Sequence, residues 1–135
     1  IMLRLRSDLV KHCLAAIEKR LDTETITWDE RPSLGVVLAA GGYPGPYETG
    51  LVIKGLETAT DSDELKIFHA GTSLNNGNAV TAGGRVLCAT AMGNTVTEAQ
   101  KNAYKMANQV HWPGIYMRND VGYRAVKREQ SQSVD

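Results

Sequence analysis

The stretch "AAGGYPGPYETG", residues 39–50, limits the fold more than any other part of the chain. It places four glycines and two prolines directly behind the apolar run "SLGVVLAA" of residues 33–40. Glycine reaches backbone angles closed to other residues, and proline fixes φ and removes an N–H donor. No helix and no central strand passes through such a segment, so the chain must turn here. The turn is either a stiff corner with Tyr43 packed on the core or a loop that brings backbone close to a ligand. The run before it is apolar on both alternating faces, the pattern of a strand covered on two sides.

Periodicity organises the rest. Leu9, Val10, Cys13, Leu14, Ile17 and Leu21 recur at spacings of three and four and predict a helix over about residues 8–20. Ser7 is a good N-cap for it, and Asp8 suits the positive helix end. His12 falls on the polar side and is expected in solvent. "TETITW" allows a short strand, and "DERPS" turns because Pro32 keeps Arg31 from helical angles. A short apolar stretch, 51–53, follows the glycine-proline loop. "ETATDSDE" reads as a solvated acidic loop, since Asp61, Asp63 and Glu64 lack the spacing of metal ligands.

"LKIFHAGT", residues 65–72, alternates like a strand, and Asn76-Gly77 signals a hairpin turn. "AVTAGG" and "RVLCATAMG" supply two further strands. The period then changes. Thr97 and Gln100 match a capping box, and Ala99, Ala103, Ala107 and Val110 line one helix face beside Tyr104 and Met106. "HWPGIYMR" reads as a turn and short strand, and "NDVGYRAV" as the start of a last helix. "KREQSQSVD" is a polar, frayed end. The sum is an α+β domain in which mainly antiparallel strands carry one long packed helix.

Composition narrows the function classes. A chain of 135 residues makes one domain, or one domain plus a piece of a neighbour. Fifteen basic and fifteen acidic residues leave no net charge, and no basic cluster suits nucleic acid. No apolar run approaches the ~20 residues of a membrane-spanning helix. The opening "IMLRLRSDLV" is too charged for a signal peptide and reads as cut from something longer. Cys13 and Cys88 make no metal-ligand spacing and read as buried free thiols of a cytoplasmic protein.

Catalytic motifs are absent from this sequence: it has no Walker loop, no GxGxxG after a strand, no Cys/His cluster and no nucleophile elbow. His69 sits in a strand pattern near Gly71 and Thr72, where a packed histidine and a functional one both fit. Arg85 follows Gly83-Gly84 at the mouth of an apolar strand, with its stem packed and its planar fork free. Such a fork meets a phosphate with two parallel hydrogen bonds, or pairs with a surface carboxylate.

Five segments occur in order: "SLGVVLAAGGYPGPYETG", "IFHAGT", "GGRVLCATAMG", "EAQKNAY" and "RNDVGYRA". Together they resemble the C-terminal part of the phosphoribosylamine–glycine ligases, also called glycinamide ribonucleotide synthetases. The resemblance runs from the first residues to about Glu129. Pro46 and Leu51 depart from the family's loop, where an acidic residue is usual. The resemblance implies a small, barrel-like, mainly antiparallel C-terminal domain of an ATP-grasp ligase. It divides the chain into residues 1–32, the end of the ATP-grasp domain with its helix and a linker, then 33–126, the C-terminal domain, and 127–135, a polar tail.

It also implies a chemistry for the intact enzyme. With ATP and magnesium (or manganese), the glycine carboxylate becomes an acyl phosphate that the amine of 5-phosphoribosylamine attacks, a step of purine synthesis. In this chain it implies no catalytic residue, no metal ligand and no bound cofactor. Gly41, Gly42, Tyr43, Pro44 and Gly45 face substrate, and Arg85 holds the phosphate of phosphoribosylamine with Thr72 and His69. The first helix turns its apolar stripe toward the ATP-binding lobe. The expected partners are the amino-terminal and ATP-grasp domains of the same protein and small-molecule substrates, in a cytoplasmic monomer, with no nucleic acid and no membrane. Two alternatives stand beside this reading. One is the similar C-terminal barrel of the purine-pathway carboxylases and formyltransferases, which lacks "AAGGYPG". The other is a stand-alone, non-catalytic module that binds a sugar phosphate or a partner protein.

Overall fold

The computed structural model describes residues 1–59 and 61–132. Three helices and five strands alternate along it: α1 Leu9–Ile17, β1 Ser33–Ala39, β2 Leu65–His69, β3 Thr72–Asn75, β4 Asn78–Thr81, β5 Arg85–Met92, α2 Val96–Ala107 and α3 Tyr123–Gln132. The strands form two antiparallel sheets, β1-β5-β2 and the hairpin β3-β4. The α+β class expected from the periodicity is therefore present. Asn76-Gly77 turns the hairpin with φ of 48° and 81°, the left-handed angles that such a two-residue turn requires.

β5 is the central strand because it is the longest, largely apolar after Arg85, and able to pair on both edges. Leu38 faces Leu87, Val36 faces Ala89 and Leu34 faces Ala91, and across the other edge Ile67 also meets Ala89. These side chains share one face with the alanine stripe of α2. Ala99, Ala103 and Ala107 are buried there with Met106, and their small size lets the helix sit close to the sheet. Trp112 and Val110 close the same core. Residues 51–53 join it by pairing beside β4, with Ile53 N–H donating to Ala79 O at 2.9 Å.

Several local expectations change in the structure. β1 is covered on one side only: Val36 and Leu38 are fully buried, whereas Val37 between them is 43% exposed. The strand expected over 65–72 breaks at Ala70-Gly71, so Thr72 starts the hairpin sheet. "TETITW" contributes only an isolated bridge, Trp28 to Leu5. The N-cap of α1 is Asp8, whose carboxylate accepts from Val10 N at 2.8 Å. Ser7 binds the His12 ring instead, Oγ to Nε2 at 2.7 Å, and this draws His12 into a buried position. The face of α1 that packs is therefore His12 and Ala15, and the stripe of Leu9, Val10, Cys13, Leu14 and Ile17 lies exposed. Neither cysteine is buried: Cys13 is exposed and Cys88 half-buried.

The cap of α2 also shifts. Thr95 is the N-cap, accepting from Glu98 N, and Glu98 reaches back to Asn94 N–H at 2.7 Å. Two threonines of this segment fit the box pattern, and the earlier one is used because β5 ends at Met92. Thr97 instead meets α3. Glu129 accepts from Val96 N, Thr97 N and Thr97 Oγ1, so α3 continues through Gln132 where polarity suggested fraying from Lys127. These hydrogen bonds hold the Glu129 carboxyl below its ordinary range. The last three residues of the polar tail lie outside the described residues.

The amino-terminal segment is knitted to the sheet domain by arginines around one carboxylate. Arg6 and Arg31 both donate to Asp29, and the Arg4 guanidinium donates to the Asp29 carbonyl at 2.8 and 3.0 Å. Hydrogen bonds from Arg31, and then from Arg6, hold the Asp29 carboxyl far below the usual carboxylate range. Among the described residues no helix is long and apolar enough to cross a membrane.

Candidate functional site

The glycine-proline loop folds back on the first residues of β5. Ala40 N–H donates to Gly84 O at 2.8 Å, and Tyr43 N–H to Ala40 O at 3.1 Å. Gly42 has φ of 93°, and a Cβ there would stand 2.3 Å from Pro46 O, so both angle and space require glycine. Gly41 is needed for a different reason: its Cβ would meet the Gly114 carbonyl oxygen at 2.5 Å. The Tyr43–Pro44 peptide is cis. The loop residues 41–47 are all exposed, and the N–H groups of Gly41, Gly42 and Gly45 donate to no described residue. A cluster of unpaired amides at a strand end is suited to a phosphate or a polar oxygen.

Arg85 stands beside this loop. It opens β5 opposite Ala39, where the register shifts after Leu38. Its side chain is exposed and has no hydrogen bond or ion pair among the described residues. Other arginines are committed: Arg6 and Arg31 to Asp29, Arg20 to Glu18 and Glu24, and Arg118 to Asp120. The Asp120 carboxylate raises the Arg118 pKa, and the guanidinium in turn lowers that of Asp120. Arg85 thus offers an unspent planar donor at the open end of the sheet.

Two cavities meet at this residue, both on the sheet face that α2 leaves open. One, of about 540 Å³, is lined by Val37, Tyr43, Gly71, Arg85 and Cys88. The other, of about 320 Å³, is lined by Gly35, Val37, Tyr43, Arg85, Tyr116 and Arg118. Val37, Tyr43 and Arg85 are common to both. Tyr43 is therefore neither buried in the core nor free of it: it is 39% exposed and lines both cavities. A third cavity, lined by Ser62, Glu64, Asn102 and Lys105, lies behind α2 and contains none of the motif residues.

The remaining expected site residues lie one step away. His69 Nδ1 is 3.0 Å from Thr72 Oγ1, so the two form a pair, but neither lines a cavity with Arg85. His69 pairs across the sheet with Leu87, whereas Phe68 pairs with Cys88. Alternation thus puts His69 on the opposite face from Cys88. Only the backbone connects the two groups: Gly71 N–H donates to Arg85 O at 2.9 Å. The site also includes residues that carry no sequence signal, namely Tyr116, Arg118 and Cys88. Arg118 comes to it because Tyr104 Oη, on α2, donates to its carbonyl at 2.6 Å.

A sheet backed by one helix thus carries a glycine-rich loop and an exposed arginine at its open end. Residues 33–124 match the family model described as phosphoribosylglycinamide synthetase, C domain, and the chain belongs to that family. Similar full-length proteins include the phosphoribosylamine–glycine ligase of Vibrio cholerae serotype O1, 58% identical over 98% of this chain. That of Escherichia coli O157:H7 is 58% identical over 97% of it. This chain spans 30% of the length of each. A crystal structure of phosphoribosylamine–glycine ligase from Thermotoga maritima superposes with a TM-score of 0.63 at 34% identity, covering 82% of this chain and 27% of that one.

Proposed function

We propose that this chain is the C-terminal domain of a phosphoribosylamine–glycine ligase, and that the Arg85 corner binds the phosphate of 5-phosphoribosylamine. The observation that carries the reading is the unpaired Arg85 guanidinium beside the unpaired amides of Gly41, Gly42 and Gly45, in a chain that matches such ligases along nearly its whole length. A guanidinium gives a phosphate two parallel hydrogen bonds, and the amides supply further donors without a compensating charge. The corner binds and orients. The joining of amine to glycine is assigned to other parts of the enzyme. Thr72 and His69, paired with each other away from both cavities, are left outside this corner.

Residues 1–32 are the end of the ATP-grasp domain with its linker, residues 33–126 the C-terminal domain and residues 127–135 its tail. ATP and magnesium (or manganese) serve the whole ligase, a cytoplasmic monomer of purine synthesis. Among the described residues no three histidine, cysteine or acidic side chains gather as a metal site, so none here is assigned to the cation.

Arg85→Ala in the full-length ligase tests the reading. Losing a charged hydrogen bond costs roughly 1.5–3 kcal/mol, so the KM for phosphoribosylamine should rise about ten- to a hundredfold. The KM values for glycine and ATP should move much less. Unchanged phosphoribosylamine kinetics, or equal loss for all three substrates, would contradict it.

A further inference from the structure

We infer that Gly84 and Tyr43 act as a positioning pair for Arg85, the glycine holding the tyrosine ring in place by having no side chain. The inference rests on the reading of Arg85 as the phosphate group's partner. A Cβ on Gly84 would stand 2.0 Å from Tyr43 Cδ2, 2.5 Å from Cε2 and 3.0 Å from Cγ. The ring therefore occupies the space that any side chain at 84 would fill. Gly84 is not among the residues with positive φ, so its backbone would accept alanine without strain. Nothing in the conformation of Gly84 asks for glycine; the ring beside it does.

The neighbouring glycines differ. Gly71 is needed by the backbone, where its Cβ would meet Arg85 O at 2.7 Å, and a Cβ at Gly83 would come no nearer than 3.1 Å, to Gly71 Cα. Gly84 alone of the three faces an aromatic ring. Its carbonyl also accepts from Ala40 N, so the same residue anchors both ends of the loop's first turn. Tyr47 also meets the ring in an edge-on contact with centroids 6.0 Å apart. The Tyr43 hydroxyl makes no hydrogen bond to any described residue, so the ring and not its polar tip does the positioning. Pinned in this way, the ring lines both cavities that Arg85 lines and narrows the directions open to its guanidinium.

The pair makes a distinctive prediction because a half-exposed ring can swing away at small cost in stability. Gly84→Ala should leave the melting temperature of the full-length ligase almost unchanged. It should raise the KM for phosphoribosylamine roughly tenfold, the lower range for a misplaced charged hydrogen bond, with kcat and the other KM values held. Tyr43→Ala should do the same, and Tyr43→Phe, which keeps the ring, should raise that KM far less. In the double variant Gly84→Ala/Tyr43→Ala the methyl group has no ring to displace, so its KM should match that of Tyr43→Ala alone.

A ligand-free readout separates this inference from the site reading. In this chain carrying Cys13→Ser, Cys88 shares a cavity wall with Tyr43, and its modification by a soluble disulfide reagent should quicken several-fold in Gly84→Ala. If Arg85→Ala leaves phosphoribosylamine kinetics alone, the site reading fails, whatever Cys88 does. If Arg85→Ala weakens binding but Gly84→Ala changes neither KM nor thiol reactivity, the positioning pair is wrong. Losses that multiply in the double variant would also overturn it. Should Gly84→Ala fail to fold, Tyr43→Ala against Tyr43→Phe decides by the same two readouts.

Discussion

The two faces of the β1-β5-β2 sheet are made of similar residues and end in opposite states. On one face Leu34, Val36 and Leu38 disappear under the alanine stripe of α2. On the other, Gly35, Val37 and Cys88 line open cavities beside Tyr43 and Arg85. The helices repeat the contrast: the apolar stripe of α2 is buried, and that of α1 is exposed. The difference teaches that this chain covers one face fully and the other only in part, since Thr90 and Met92 are buried there while Val37 is not. The proposed reading assigns that open surface, beside a free arginine, to substrate and to the remaining domains of a ligase.

The comparison can be broken first by truncating side chains on the two faces. Leu38→Ala, on the covered face, should cost about 2–5 kcal/mol, the range for a buried leucine that leaves a cavity. Val37→Ala, next to it on the open face, should stay within about 1 kcal/mol in this chain, near the range of surface substitutions. Denaturant unfolding of the two variants measures both. Equal costs would mean that the open face is packed in solution.

The contrast was only half legible in the sequence. β5, the face of α2 and the Asn76-Gly77 turn follow from local periodicity, which reports what each segment can bury. Periodicity does not report who does the burying. The run 33–40 alternates apolar on both faces and so suggests two full covers, yet Val37 stays 43% exposed. His12 looked solvated because its neighbours are polar, but Ser7, five residues back, bonds its ring. Tyr43 and Gly84 lie forty-one positions apart, as do many contacts that make a site, and nothing in either residue announces the other. The Arg85 position, by contrast, was readable, because a charged residue opening an apolar strand must reach solvent at that strand's end.

A smaller effect should come from α1. Leu14→Ser removes an exposed apolar group and should change stability by no more than about 0.5 kcal/mol. Amide exchange in residues 9–17 should be faster than in β5 for both proteins. Protection equal to the sheet would show that α1 is fully integrated in this domain.

The least visible effect near neutral pH concerns Asp29. Arg31 and then Arg6 depress its carboxyl in the folded state. A depressed value means that the stabilisation is complete above the unfolded value of about 3.9 and fades as pH falls through the lower folded one. Residues 1–6 should therefore stay anchored at neutral pH and loosen only in acid. Asp29→Asn should loosen them at pH 7, as read by exchange at Leu5 and Arg6. A variant as well protected as wild type would show that the backbone bridge between Leu5 and Trp28 suffices.

The most direct test of the central claim, that the open face carries the phosphate site, is an amide chemical-shift titration of this chain with ribose 5-phosphate. The account predicts saturable shifts at Gly41, Gly42, Gly45 and Arg85, little change at Leu34, Val36 and Leu38, and loss of the response in Arg85→Ala. Shifts centred on the covered face, or a response that survives Arg85→Ala unchanged, would contradict it.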